Sequence, residues 1–173
     1  MLTKAKTADF RRIADFYRYA VEHTENIRQY ARWSYGNHPT DEMIQSYIER
    51  DTMYYWEENG LIVSAAALTL SQEENYHSVN WNARLNDDEV AVVHLLCVSP
   101  MKQRCGVGKA MMAELIGIAK SSRKKAVRLE TLSSNLPACK LYESIGFIKC
   151  GTQNRYTDRV GWIEFGLYEC IIP

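Results

Sequence analysis

The stretch 90–146 decides the fold: VAVVHLLCVSP (90–100), MKQRCGVG (101–108), KAMMAELIGIAKSS (109–122), KKAVRLETLSS (124–134) and NLPACKLYESIG (135–146). It reads as strand, glycine turn, helix, strand, helix. The first piece is an almost unbroken apolar run ended by Pro100, which suits a strand covered on both faces. Gln103-Arg104-Cys105-Gly106-Val107-Gly108 follows, with two glycines where a turn must let backbone N–H groups face outward at the mouth of a helix. Such a turn presents unpaired donors and the positive end of the helix dipole, a seat for a phosphate. The residues predict a βαβ unit that holds a phosphorylated ligand.

Three kinds of phosphate loop compete for that turn. A dinucleotide fingerprint needs G-x-G-x-x-G, and Met111 stands at its third glycine; Glu130 meets the acidic requirement only loosely. A nucleoside-triphosphate loop needs G-x-x-x-x-G-K-[ST], but Gln103 replaces its first glycine and Ala110 its hydroxyl. The third reading fits. Q-x-x-G-x-G, then a helix and a strand, then Asn135-Leu136-Pro137-Ala138-Cys139-Lys140-Leu141-Tyr142-Glu143-Ser144-Ile145-Gly146-Phe147, resembles the core of the GNAT superfamily of N-acetyltransferases. The resemblance covers about a third of the chain closely. It implies a mixed α/β (α+β) fold: a central, mostly antiparallel sheet splayed between its fourth and fifth strands, with helices on both faces. It also implies acetyl-CoA as the cofactor.

Acetyl transfer to an amine needs a held thioester, a polarised carbonyl, a deprotonated amine and a proton for the departing thiolate. By the resemblance, backbone N–H groups of Arg104, Cys105, Gly106, Val107, Gly108 and Lys109, behind Gln103, cradle the pyrophosphate of coenzyme A. Cys105 occupies a place that is often basic or glycine in the family. Leu96, Cys97 and Val98 line the pantetheine arm through their backbone, and the same N–H groups suit the acetyl carbonyl. Tyr142 is the expected general acid, since a phenol of pKa about 10 can donate to a thiolate of pKa about 8.5. Ala138, Leu141, Tyr142 and Ile145 share a helical face, which turns the phenol inward. Asn135 either caps the helix ahead of Pro137 or touches the pantetheine arm.

The base stays open between two residues and a water chain. Glu130 lies on the strand 126–131, where a charge is costly unless paired or employed, and Arg128 on the same face is its natural partner. It stands at the position of a proposed catalytic glutamate in ribosomal-protein alanine acetyltransferases. His94 stands at that of one histidine of serotonin N-acetyltransferases, whose partner histidine is replaced here by Val92.

Outward from this core, Leu2 to Lys6 reads as an edge strand and Thr7-Ala8-Asp9 as the entrance to an amphipathic helix carrying Phe10, Ile13, Phe16, Tyr17, Ala20 and Val21. Asn26 to Tyr35 is ambiguous, and Thr40-Asp41-Glu42 caps a further helix. Glu58-Asn59-Gly60 between 52–57 and 61–70 signals a hairpin. The polar segment Ser71 to Glu89 is too long for an inert loop, and its aromatic residues favour partial order. Phe147 to Tyr156 and Gly161 to Ile171 read as strands joined around Thr157-Asp158-Arg159. Trp33, Tyr35, Tyr76 and Trp81 are candidates for contact with the acceptor.

The 173 residues suit a single acetyltransferase domain spanning 1–173, and a net charge of zero offers no field for nucleic acid or anionic lipid. No apolar run reaches membrane-spanning length, and the N-terminus lacks a signal-peptide core, so a cytoplasmic location is expected. The five cysteines, Cys97, Cys105, Cys139, Cys150 and Cys170, are odd in number and scattered, which predicts reduced, mostly buried thiols rather than a metal or disulfide frame. The expected reaction is acetyl transfer from acetyl-CoA to a small-molecule amine. The alternatives are a peptide or protein Nα-acetyltransferase and a non-catalytic acetyl-CoA sensor, against which Tyr142 argues; whether the chain forms a homodimer is left open.

Overall fold

The protein is described by a computed structural model over residues 2–157 and 161–173, so the expected turn at Asp158 and Arg159 lies outside the described residues. The strands are β1 (Leu2–Lys4), β2 (Met53–Glu58), β3 (Leu61–Thr69), β4 (Val90–Val98), β5 (Ala126–Leu132), β6 (Ile148–Thr157) and β7 (Gly161–Ile171). The helices are α1 (Phe10–His23), α2 (Ile27–Tyr30), α3 (Asp41–Glu49), α4 (Val107–Ser121) and α5 (Leu136–Glu143). This is the expected order with one addition, the single turn α2 in the ambiguous stretch. The strands form a sheet in the order β1-β2-β3-β4-β5-β7-β6. From β4 the chain reaches β5 through α4, the crossover that parallel neighbours require.

The chain divides into two compact units, Met1–Arg28 with Arg32–Leu68 and Val93–Leu115, and Gln29–Ala31 with Thr69–Val92 and Ile116–Pro173. In the first, β1, β2 and β3 pair antiparallel, with Leu2 opposite Trp56 and Met53 opposite Ala67. Asn59 and Gly60 both have positive φ, 51° and 78°, as a two-residue hairpin turn demands. The apolar face of α1 buries Ile13, Ala14, Phe16, Tyr17, Ala20 and Val21. Most of it packs with Ile44, Tyr47 and Ile48 of α3 and with Ala65, Ala67, Leu95 and Cys97. The Thr40 hydroxyl accepts from the Met43 N–H at 3.2 Å and starts α3.

One residue of β4 breaks the strand conformation. Leu95 has φ 54°, a left-handed backbone that costs a bulky residue about 1–3 kcal/mol and persists only when its surroundings over-determine it. The Tyr17 hydroxyl, on a fully buried ring of α1, donates to the Leu95 carbonyl at 2.8 Å.

In the second unit β7 lies between β5 and β6, antiparallel to both. The segment Ser71–Glu89 is ordered by a buried cation. Arg128 is 1% exposed; it donates to Glu169 Oε1 at 2.8 and 2.9 Å, to the Ala83 carbonyl at 2.8 Å and to the Gln72 side chain. Its guanidinium lies 4.2 Å from the Trp81 ring centroid, and Trp81 stacks on Tyr76 with centroids 5.7 Å apart. The second oxygen of Glu169 accepts from the Ala83 N–H at 3.1 Å. The pairing of Arg128 with Glu130 expected from the sequence is thereby corrected: Glu169, on the neighbouring strand β7 and directly opposite in register, takes the arginine.

A buried ion pair is costly to break because the remaining charge stays desolvated. Glu169→Ala is expected to lose about 3–5 kcal/mol in urea unfolding, and the double replacement Arg128→Met with Glu169→Leu to lose much less. Equal losses in the two proteins would show that the pair does not hold this unit together.

Candidate active site

In the first unit β4 alternates between buried Leu95 and Cys97 and partly exposed Leu96 and Val98. Burial pushes the Cys97 thiol up to about 12, so it is an apolar filler rather than a nucleophile. The Ser64 hydroxyl donates to the Cys97 carbonyl at 2.8 Å, and the Ser99 N–H to the Val63 carbonyl at 2.9 Å. Beyond β4 the exposed turn Gln103–Gly106 carries φ 61° at Arg104 and 81° at Gly106, and a residue with a Cβ at Gly106 would be strained. The Ala110 N–H bonds the Gly106 carbonyl at 3.0 Å and so opens α4. The N–H groups of Val107, Gly108 and Lys109 therefore belong to the first helical turn, where no intrahelical acceptor exists. Gln103 itself reaches back, donating from Nε2 to Thr24 Oγ1 at 3.2 Å.

His94, also on β4, lies against Tyr47 with ring centroids 5.5 Å apart, and Arg50 lies 4.8 Å from the other ring partner's centroid, that of Tyr47. Desolvation first, and the Arg50 charge second, lower its pKa from 6.5 to about 4. The imidazole is neutral at physiological pH. Trp33 packs on the core near Tyr17 and His38, with centroids at 6.4 and 5.5 Å. Tyr35 donates to Asp41 and lies under the Arg18 guanidinium at 4.9 Å.

In the second unit Tyr142 is buried, at 6% exposure, with Phe147 and Tyr168 rings 5.9 and 6.0 Å away. Within α5 it is Cys139, not Ala138 or Leu141, that joins it among the buried residues, and Ile145, beyond the helix end, is half-buried. Desolvation raises the phenol well above 10, so it holds its proton at neutral pH. The helix is defined at both ends. Asn135 Oδ1 accepts from the Ala138 N–H at 3.4 Å, with Pro137 in the first turn. At the other end Gly146, φ 94°, donates to the Glu143 carbonyl at 3.2 Å and Phe147 to the Tyr142 carbonyl at 3.1 Å. This is the paired 5→2 and 6→1 closure that needs glycine at its left-handed residue and brings the next side chain onto the third residue from the end, here Phe147 onto Tyr142.

Glu130 is held by Arg155, which donates to both carboxylate oxygens at 2.8 and 2.6 Å and itself lies over Phe165 at 4.7 Å. Tyr76 is 1% exposed and packs with Val90, Val92 and Trp81, a core placement rather than a surface one. The Ser133 hydroxyl, two residues before Asn135, is buried with no hydrogen-bond partner among the described residues. Two features were not singled out in the sequence: Arg155, hidden in a polar strand, and the Tyr17 hydroxyl, hidden in an apolar helix face. The cysteines are all free, but Cys105 is exposed and Cys150 and Cys170 partly so, fewer buried thiols than expected.

An open helical first turn after a left-handed glycine suits the oxygens of a coenzyme pyrophosphate, and the orphaned Ser133 hydroxyl suits a polar ligand as well. Residues 13–147 match the Acetyltransferase (GNAT) family, most of the chain, and the protein belongs to that family, whose members are acyltransferases supplied by acetyl-CoA. It is 27% identical to Mycothiol acetyltransferase of Acidothermus cellulolyticus over 64% of this chain and 34% of that protein. It is 36% identical to N-alpha-acetyltransferase RimI of Mycobacterium tuberculosis over 37% of this chain and 39% of that protein. The matched stretch thus spans only about a third of the length of these curated relatives. The Salmonella typhimurium protein yncA, solved with its cofactor acetyl-CoA, superposes with a TM-score of 0.72 at 20% identity, covering 100% of this chain and 94% of that one; at this identity the likeness concerns the fold. No helix among the described residues is long and apolar enough to cross a membrane.

Because the folded value of His94 lies below 6.5, the unfolded chain takes up the proton first as the medium is acidified. Stability is therefore expected to fall from about pH 6.5 to about pH 4 in the wild type, and less steeply in His94→Gln, by thermal melting at half-unit steps. Parallel curves would mean that His94 is solvated.

Proposed function

We propose that the protein transfers the acetyl group of acetyl-CoA to a small primary amine, with Tyr142 as general acid. The observation that carries this reading is the turn Gln103–Lys109, whose left-handed Arg104 and Gly106 lead into a helical first turn with open N–H groups. Acetyl-CoA supplies an activated thioester carbon. The N–H groups of Arg104 to Lys109 hold its pyrophosphate, with the charges of Arg104 and Lys109 beside them. The backbone of Leu96, Cys97 and Val98 holds the pantetheine arm, and their N–H groups polarise the carbonyl that the amine attacks. Asn135 serves as cap and as a contact for the same arm.

Tyr142 gives its proton to the departing thiolate. Its burial keeps the phenol protonated at neutral pH, the form a general acid needs. His94, neutral above about pH 4, receives the amine proton through water. Glu130 keeps its charge engaged with Arg155 and acts in positioning. Trp33 and Tyr35 frame the acceptor; the buried Tyr76 and its partner Trp81 support the segment around them. The similarity to RimI favours one other reading, a peptide Nα-amine as acceptor.

Coenzyme A release, followed with a thiol-reactive dye across small amines and N-terminal peptides, tests the reaction and separates the two acceptors. Tyr142→Phe is expected to lower kcat by about 10²–10⁴ while acetyl-CoA affinity stays within about threefold. Equal loss of both would make the residue structural. Gly108→Asp places an anion in the first turn of α4, where a carboxylate favours the helix. It should fold normally and lose calorimetric binding of acetyl-CoA, and retained binding would move the phosphate seat elsewhere.

A further inference from the structure

We propose that Tyr17 is a positioning residue for acyl transfer: its hydroxyl anchors the Leu95 carbonyl and so aims the Leu96 N–H at the acetyl oxygen. The inference rests on the reading above, in which the β4 backbone polarises the thioester. The Leu95 carbonyl and the Leu96 N–H belong to one peptide unit, which is planar and trans, so the two groups point in opposite directions. Fixing one end of that plane fixes the other. The left-handed φ of 54° at Leu95 turns this plane away from its place in a regular strand, and a buried carbonyl turned away needs a donor from elsewhere. The Tyr17 hydroxyl is that donor, at 2.8 Å on a ring with 0% exposure.

The ring cannot drift. It meets Phe16 edge-on at 5.4 Å and Trp33 at 6.4 Å between centroids. Burial holds the phenol protonated, far above its usual range, so the anchor is a donor at every working pH. A donor on the carbonyl also polarises the peptide and strengthens its N–H as a donor in turn. The bond therefore acts on the step in which the carbonyl oxygen gains charge, and much less on ground-state holding of the coenzyme.

Tyr17→Phe removes one oxygen and keeps the ring. In steady-state assays it is expected to lower kcat roughly tenfold, while KM for acetyl-CoA and calorimetric Kd for coenzyme A stay within about twofold. Thr52→Val is the comparator: its hydroxyl donates to the Tyr47 carbonyl at 2.9 Å in the same unit but off β4. It should lower Tm comparably and leave kcat within about twofold. 3-Fluorotyrosine placed at position 17 alone keeps the hydroxyl and should keep kcat near wild type. Three outcomes overturn the role: Tyr17→Phe with wild-type kcat, equal kcat losses in Tyr17→Phe and Thr52→Val, or a Tyr17→Phe chain that does not fold. If the wild type neither binds acetyl-CoA nor releases coenzyme A, the donor reading falls and this role with it.

Discussion

A peptide carbonyl inside a protein has to meet a donor, and in β4 that requirement reaches beyond the strand. Leu95 adopts a backbone that leucine avoids, and the tyrosine that stabilises it comes from α1, whose apolar face is otherwise an ordinary packed surface. One hydroxyl thus links the rotational setting of a helix to the direction of a strand's peptide planes. The neighbouring Ser64 hydroxyl treats the Cys97 carbonyl in the same way. The first unit is organised by side chains that complete the hydrogen bonding of β4 without using its own side chains, which leaves those positions free to be merely apolar.

The second unit solves a different problem, the placing of a phenol on a helix of eight residues. A helix that short is marginal by itself, so its ends must be specified. Asn135 and Pro137 specify the start. Gly146 and Phe147 specify the end, and the closing bond from Phe147 falls on the carbonyl of Tyr142 itself. The family signature is therefore legible as mechanics: cap, first-turn proline, tyrosine, left-handed glycine, and an aromatic ring laid against the tyrosine. Arg128 does the comparable work for the long polar segment before β4, tying Gln72, Trp81 and Ala83 to Glu169.

Much of this was readable in the chain alone, because it is encoded locally. The glycine turn, the caps of α3 and α5, the Asn59-Gly60 hairpin and the periodicity of α1 each depend on residues within a turn or two of one another. The α/β order and the acetyltransferase family followed from two such local signatures at a given separation. Partnerships across strands were not readable. Arg128 and Glu130 alternate on one strand and suggest each other, yet each is bound by a residue of a later strand, Glu169 and Arg155.

The sequence by itself determined the order and kind of the main helices and strands, the glycine turn ahead of α4 and the inward tyrosine, since backbone propensity and side-chain periodicity act over a few residues. Only the tertiary structure decided which charges neutralise one another, that His94 is desolvated beside Tyr47, and that Tyr17 serves the Leu95 carbonyl. Those outcomes depend on residues far apart in the chain, 25 positions for Glu130 and Arg155 and 41 for Arg128 and Glu169. Desolvation and hydrogen-bond completion are properties of an assembled interior, and no short window of sequence contains them.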